Sequence, residues 1–75
     1  MTMQTYTSHT PDEVLATVRT LRAQARRVPL LGRGAHFQIA KRRIADAVLF
    51  AESNTAHAVQ CCWEARHHLN HCASQ

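Results

Sequence analysis

The chain has 75 residues, a formal net charge of +4 and a pI near 9.6. A single domain of this length buries only about 60% of the surface that its unfolded form exposes, which leaves little room for a catalytic pocket beside a core. Three cysteines, two of them adjacent, make a poor disulfide framework, and the chain lacks the run of about 18 apolar residues that a transmembrane helix needs.

The first residues predict an arm rather than a folded element. Residues 1–9 carry no helical periodicity, so we expect a flexible N-terminal arm followed by a single helical domain over residues 10–75. Residues 1–10 are polar and rich in threonine and do not contain the apolar stretch of a signal peptide. We therefore expect a cytoplasmic protein without membrane insertion.

The first helix has clear start and stop signals. Thr10 and Glu13 predict a capping box, with Pro11 at the first helical position. Pro29 disfavours helical geometry at the residue before it, which predicts a helix over residues 11–28. Its apolar residues follow helical spacing: Val14, Val18, Leu21, Ala25 and Val28.

A glycine-containing turn separates the first helix from the second. Leu30 and Leu31 lie in this turn and are expected to tuck under the bundle or to serve as exposed apolar anchors. The second helix is predicted over residues 35–52. Its buried stripe is Phe37, Ala40, Ile44, Ala47, Val48 and Ala51, flanked by Ile39, Leu49 and Phe50.

The third helix is predicted over residues 55–73, after an ambiguous joint. Ser53 and Asn54 favour an N-cap, but no glycine or proline enforces a break. Its apolar seam is Ala58, Cys62, Ala65, Leu69 and Cys72 or Ala73, with the single Trp63 on a shoulder. The fold class is therefore an all-α three-helix bundle; the alternative is a helical hairpin with one long C-terminal helix, which would form a homodimer.

Positive charge is concentrated in the first two helices. Eight of the nine Lys and Arg residues lie between residues 19 and 43, a stretch without Asp or Glu. Arginine suits bidentate contact with carboxylate or phosphate. The predicted partner-binding residues form one basic patch, with Trp63 as an apolar anchor: Arg19, Arg22, Arg26, Arg27, Arg33, Lys41, Arg42, Arg43 and Trp63. A solvated face that only maintains solubility is the simpler interpretation.

Histidine and cysteine side chains recur along the third helix at spacings that place them on one face. The candidate metal ligands are His57, Cys61, Glu64, His68 and Cys72. One helix supplies too few ligands for a tetrahedral zinc site, and His36 is distant in sequence. We therefore expect no cofactor, and a zinc-dependent dimer through the third helix is the weaker alternative. His57 or His68 could also lower the pKa of Cys61.

Catalytic motifs are absent from the sequence, which contains no nucleotide-binding fingerprint, phosphate-binding loop or nucleophile motif. We expect a non-enzymatic binding module, a regulator or inhibitor that docks on an acidic protein surface through the basic patch. The alternative is an accessory protein that binds DNA or another nucleic acid through phosphate contacts. Few aromatic residues and helix lengths unlike those of a helix-turn-helix weaken that alternative.

Overall fold

The structure, a computed structural model, describes residues 9–73 and confirms an all-α three-helix bundle. The helices are α1 (Pro11–Arg26), α2 (Ala35–Phe50) and α3 (Thr55–Ala73), with a 3-10 turn at Leu30–Gly32 between the first two. Residues 9–73 contain no strand, and none of their helices is long and apolar enough to cross a membrane. The predicted N-terminal arm, apart from His9, lies outside the described residues.

Helix α1 begins as its capping box predicts. The Glu13 N–H donates to the Thr10 hydroxyl at 3.2 Å, and the Thr10 N–H donates to the Glu13 carboxylate at 3.2 Å. The helix ends at Arg26, two residues before the predicted end. Val28 instead turns into the core with 5% of its surface exposed, and its N–H donates to the carbonyl of Ala25.

The turn between α1 and α2 differs from the expectation that both leucines tuck under the bundle. Leu30 and Leu31 are 80% and 102% exposed. The backbone itself occupies the space beneath the turn, since a Cβ on Gly32 would lie 3.6 Å from the carbonyl oxygen of Cys72 and 3.3 Å from Val28 Cγ1. With Val28 filling the core there, the leucine side chains face solvent.

The joint between α2 and α3 is a break, so the alternative of one long C-terminal helix is wrong. Residues 51–54 form a turn, and α2 ends at Phe50 rather than at residue 52. The side chain of Asn54 accepts a hydrogen bond from the His57 N–H at 3.2 Å and so caps α3. The short connections make α1 and α3 run parallel to each other and antiparallel to α2.

The core lies where the three apolar stripes meet. Four alanines of α2 and α3 are fully buried, and their small side chains allow close helix packing. Val48 differs from its prediction, because it is 40% exposed at the edge of the stripe. The buried residues are Val14, Val18, Leu21, Ala25, Val28, Phe37, Ala40, Ile44, Ala47, Ala51, Ala58, Cys61, Cys62, Ala65, Leu69 and Cys72.

Candidate functional site

A groove between α1 and α2, which we call the basic groove, brings four of the predicted cations together. Its volume is about 390 Å³. The groove is lined by basic residues (Arg22, Arg26, Arg33 and Lys41) and by apolar ones (Ala25, Phe37, Ile44 and Ala45). None of these lining residues is an Asp or a Glu. Uncompensated cations along a concave surface focus a positive field into it.

Helical spacing and antiparallel packing explain this lining. Arg22 and Arg26 are four residues apart on α1, as are Phe37 and Lys41 on α2, so each pair lies on one face of its helix. Arg33, in the turn, extends the row of cations between the two helices. Local sequence thus fixes each pair, while the packing of α1 against α2 joins the pairs into one surface.

Two of these cations are positioned against the ring of Phe37. The Arg33 guanidinium lies 5.1 Å from the ring centroid, and the Lys41 ammonium lies 5.7 Å from it. The Arg33 Nε also donates to the Val28 carbonyl at 3.0 Å. These contacts restrict the two side chains, so part of the conformational cost of binding an anion is already met.

Arg43 does not belong to the basic groove, and the expectation of one unneutralised patch is wrong at this residue. Its guanidinium pairs with Asp46 at 3.3 Å and with Glu64 of α3 at 3.2 Å. Arg43 follows Lys41 by two residues, about 200° around the helix, so it faces α3 rather than α1.

The other predicted basic residues surround the basic groove without lining it. Arg27 and Arg42 are exposed. Arg27 is the C-cap of α1, one residue after Arg26, and Arg42 follows Lys41 by one position, about 100° around α2. Arg19 is exposed on α1 one turn before Arg22. Trp63 is 75% exposed and lies in a separate groove between α1 and α3, beside Val59 and Arg66. The cations therefore divide over several faces.

The predicted metal candidates are not brought together. Cys61 Sγ lies 3.6 Å from His57 Nε2, but Glu64 is paired with Arg43 and Cys72 is buried in the core. Over residues 9–73, no group of three or more His, Cys, Asp or Glu side chains is arranged to hold a metal ion. His68 contacts His36 of α2 instead.

The two adjacent cysteines are buried thiols. Burial raises the pKa of Cys61, and the nearby carboxylates of Asp46 and Glu64 raise it further, although Arg43 opposes them. Burial also raises the pKa of Cys62. The expectation that a neighbouring histidine could lower the pKa of Cys61 is therefore wrong, since burial dominates. A thiol kept protonated is a poor nucleophile.

Four histidines form a cluster where the start of α2 meets the end of α3. This imidazole cluster consists of His36, His67, His68 and His71. The rings of His36 and His68 have centroids 5.0 Å apart, and their Nδ1 atoms are 2.8 Å apart. His71 lies 4.9 Å from His36 and 4.5 Å from His67 between centroids. Sequence spacing could not reveal His36 as a member, because only the antiparallel pairing of α2 with α3 places it there.

The cluster disfavours charge on its central member. Partial burial lowers the pKa of His68, and the positive charges of His36, His67 and His71 lower it further, although Glu64 opposes them. The geometry adds that His36 and His68 cannot both be charged at this distance. Two facing Nδ1 atoms at 2.8 Å share one hydrogen comfortably, whereas a hydrogen on each would place two N–H groups head to head.

Comparison with protein-family models, with curated proteins and with solved structures finds no match for this chain.

Proposed function

We propose that the chain is a small binding module that docks on an acidic protein surface through the basic groove and thereby regulates or inhibits its partner. The observation that carries this proposal is the row of four cations along one groove, with no carboxylate among the residues that line it. A partner's Asp or Glu residues would supply the missing counter-charges. Guanidinium groups such as those of Arg22 and Arg26 bind carboxylates in bidentate fashion.

The apolar lining of the groove favours a protein partner over nucleic acid. The lining between the cations is apolar and Ala45 is its exposed member, so the groove offers a partner's aliphatic side chain a small apolar contact beside the cations. Phe37 is buried and has Arg33 and Lys41 against its ring, so it is not free to stack on a base. An acidic, amphipathic helix or loop matches both the charge and the lining of this groove.

The proposed role is binding without catalysis. The thiols of Cys61, Cys62 and Cys72 are buried and unpaired. A cytoplasmic location is part of the proposal. The proposed regulator acts by covering part of its partner's surface.

Affinity capture from a lysate of the native host, with matched charge-reversal variants as bait, tests this proposal. The groove variant is Arg22→Glu with Arg26→Glu, and the control is Arg27→Glu with Arg42→Glu. Both variants change the net charge equally, and each places one glutamate at the end of α1 and one on an exposed helical position. We expect the wild type and the control to capture the same acidic protein and the groove variant to lose it.

Equal capture by the two variants, or equal loss, would contradict a role for the basic groove. Fluorescence anisotropy at low salt distinguishes the alternative partner. The probes are duplex and single-stranded DNA, and a designed amphipathic helical peptide with a leucine face flanked by glutamates. We expect the peptide to bind more tightly than either DNA. Tighter binding of DNA, lost in the groove variant, would favour the nucleic-acid alternative.

A further inference from the structure

Arg33 is fixed in the basic groove at both its backbone and its side chain. Its backbone N–H donates to the carbonyl of Leu30 at 3.2 Å and closes the 3-10 turn between α1 and α2. Its side-chain Nε donates to the carbonyl of Val28 at 3.0 Å, and its guanidinium carbon lies 5.1 Å from the centroid of the Phe37 ring. The side chain is therefore held in place before a partner binds.

These contacts leave one edge of the Arg33 guanidinium available. A guanidinium offers a carboxylate two bidentate edges, one formed by Nε with a terminal nitrogen and the other formed by Nη1 and Nη2. Because Nε donates to Val28, the first edge is occupied. Within residues 9–73, Nη1 and Nη2 of Arg33 donate to no acceptor. Arg33 is exposed and lines the groove, so a carboxylate can reach this second edge from solvent.

The other cations of the basic groove lack this combination of a fixed side chain and a free fork. Arg22 and Arg26 are exposed, and their side chains form no ion pair, hydrogen bond or ring contact with the described part of the chain. Binding must therefore immobilise them, which costs conformational entropy. Lys41 contacts the Phe37 ring at 5.7 Å, but an ammonium is a compact point charge without a planar fork.

We propose that Arg33 is the specificity-determining cation of the basic groove and binds one carboxylate of the acidic partner end-on, through Nη1 and Nη2. This inference rests on the proposed function. The fixed fork selects an Asp or Glu carboxylate by geometry as well as by charge, whereas the arginines of α1 contribute charge. Because Arg33 belongs to the turn that joins α1 to α2, the anchoring acid of the partner lies at this end of the groove.

Variants that preserve charge test the proposal, because they remove the fork and leave the net charge unaltered. The anchor variant is Arg33→Lys, and the matched control is Arg22→Lys in the same groove. Binding of the labelled, glutamate-flanked leucine peptide is followed by fluorescence anisotropy at low salt. We expect Arg33→Lys to bind the peptide at least ~10-fold more weakly than the wild type. Arg22→Lys should stay within ~3-fold of it. Far-UV circular dichroism verifies that both variants keep the helical bundle.

Arginine side-chain NMR of the wild type gives a readout that needs no substitution in the groove. In the free chain, we expect the Nε–H of Arg33 to exchange with solvent more slowly than that of Arg22, because it donates to the Val28 carbonyl. Bound peptide should slow the rotation of the Arg33 Nη groups, since two hydrogen bonds to one carboxylate restrain them.

Equal peptide affinities of Arg33→Lys and Arg22→Lys would overturn the role of Arg33 and leave the proposed function standing. Arg33 Nη signals that do not change when the peptide binds would have the same meaning. A wild type that does not bind the peptide would instead contradict the proposed function, and the role assigned to Arg33 with it.

Discussion

The side of α2 that faces α1 and the side that faces α3 both carry basic side chains, but these side chains have different surroundings. On the side toward α1, Lys41 lies in the basic groove with the other cations. No Asp or Glu is among the residues that line this groove. Toward α3, Arg43 is held by Asp46 and Glu64. The side toward α1 presents positive charge to solvent, whereas the side toward α3 uses its charge to hold two helices together.

This difference shows that charge density along the sequence does not define a binding surface. Lys41 and Arg43 are two residues apart and belong to the same basic stretch. Their directions differ by about 200° on the helix. The positions of Asp46 on α2 and Glu64 on α3 then decide which cation is neutralised. Only the geometry of the packed bundle separates a structural cation from one that is available to a partner.

The largest expected loss of stability comes from removing part of the hydrophobic core against which α2 packs. Leu21 is fully buried, and Leu21→Ala leaves a cavity in a small core. We expect the free energy of unfolding to fall by about 2–5 kcal/mol. Urea unfolding followed by far-UV circular dichroism measures this loss. The matched control is Leu49→Ala, at a position 69% exposed, where the change should stay within about 0.5 kcal/mol.

A smaller loss of stability distinguishes the side of α2 that faces α3 from the side that faces α1. Arg43→Gln removes the cation from two carboxylates that are themselves only partly exposed, and we expect a loss of about 1 kcal/mol. Lys41→Gln removes a cation with no carboxylate partner in the groove and should change stability by no more than about 0.5 kcal/mol. Urea unfolding of both variants gives the comparison. Equal losses would show that the two sides of α2 do not differ as described.

The smallest expected effect is a pH dependence of the free energy of unfolding, which arises from His68 on the side of α2 that faces α3. The pKa of His68 lies below its ordinary value of 6.5 in the folded chain, so the unfolded chain binds more protons between those two pKa values. The stability associated with neutral His68 is therefore complete above pH 6.5 and is lost as the pH falls through that window.

Urea unfolding between pH 8 and pH 5, in protein freed of metal by a chelator, measures this dependence. The charged and titratable groups that face His68 are His36, His67, His71 and Glu64. We expect His68→Gln to lose less stability than the wild type over this range. A steeper loss in the variant would contradict the lowered pKa of His68.

The fold could be predicted from the sequence because its signals are local. Thr10 and Glu13 form the capping box that starts α1, and alternating spacings of three and four residues mark each buried stripe. The joint at Asn54 was ambiguous, since its capping hydrogen bond to His57 depends on the chain turning there. The helix ends were predicted to within two residues.

The candidate sites could be predicted only in part, because they depend on which helices become neighbours. Spacing placed Arg22 with Arg26, but it could not show that Arg43 would meet Glu64, 21 positions later. Similarly, His36 and His68 are 32 residues apart and meet through the antiparallel packing of α2 and α3. Sequence patterns describe one helix at a time, whereas each of these sites is shared between helices.

The central claim is that the basic groove is the surface that receives an acidic partner. The most direct measurement is an NMR titration of the isotope-labelled chain with the glutamate-flanked leucine peptide, following backbone amide shifts. We predict that the largest shifts occur at Arg22, Ala25, Phe37, Lys41 and Ile44, and that they vanish in the Arg22→Glu, Arg26→Glu variant. Shifts centred instead on Trp63 or Leu49, or shifts that persist in that variant, would contradict the account.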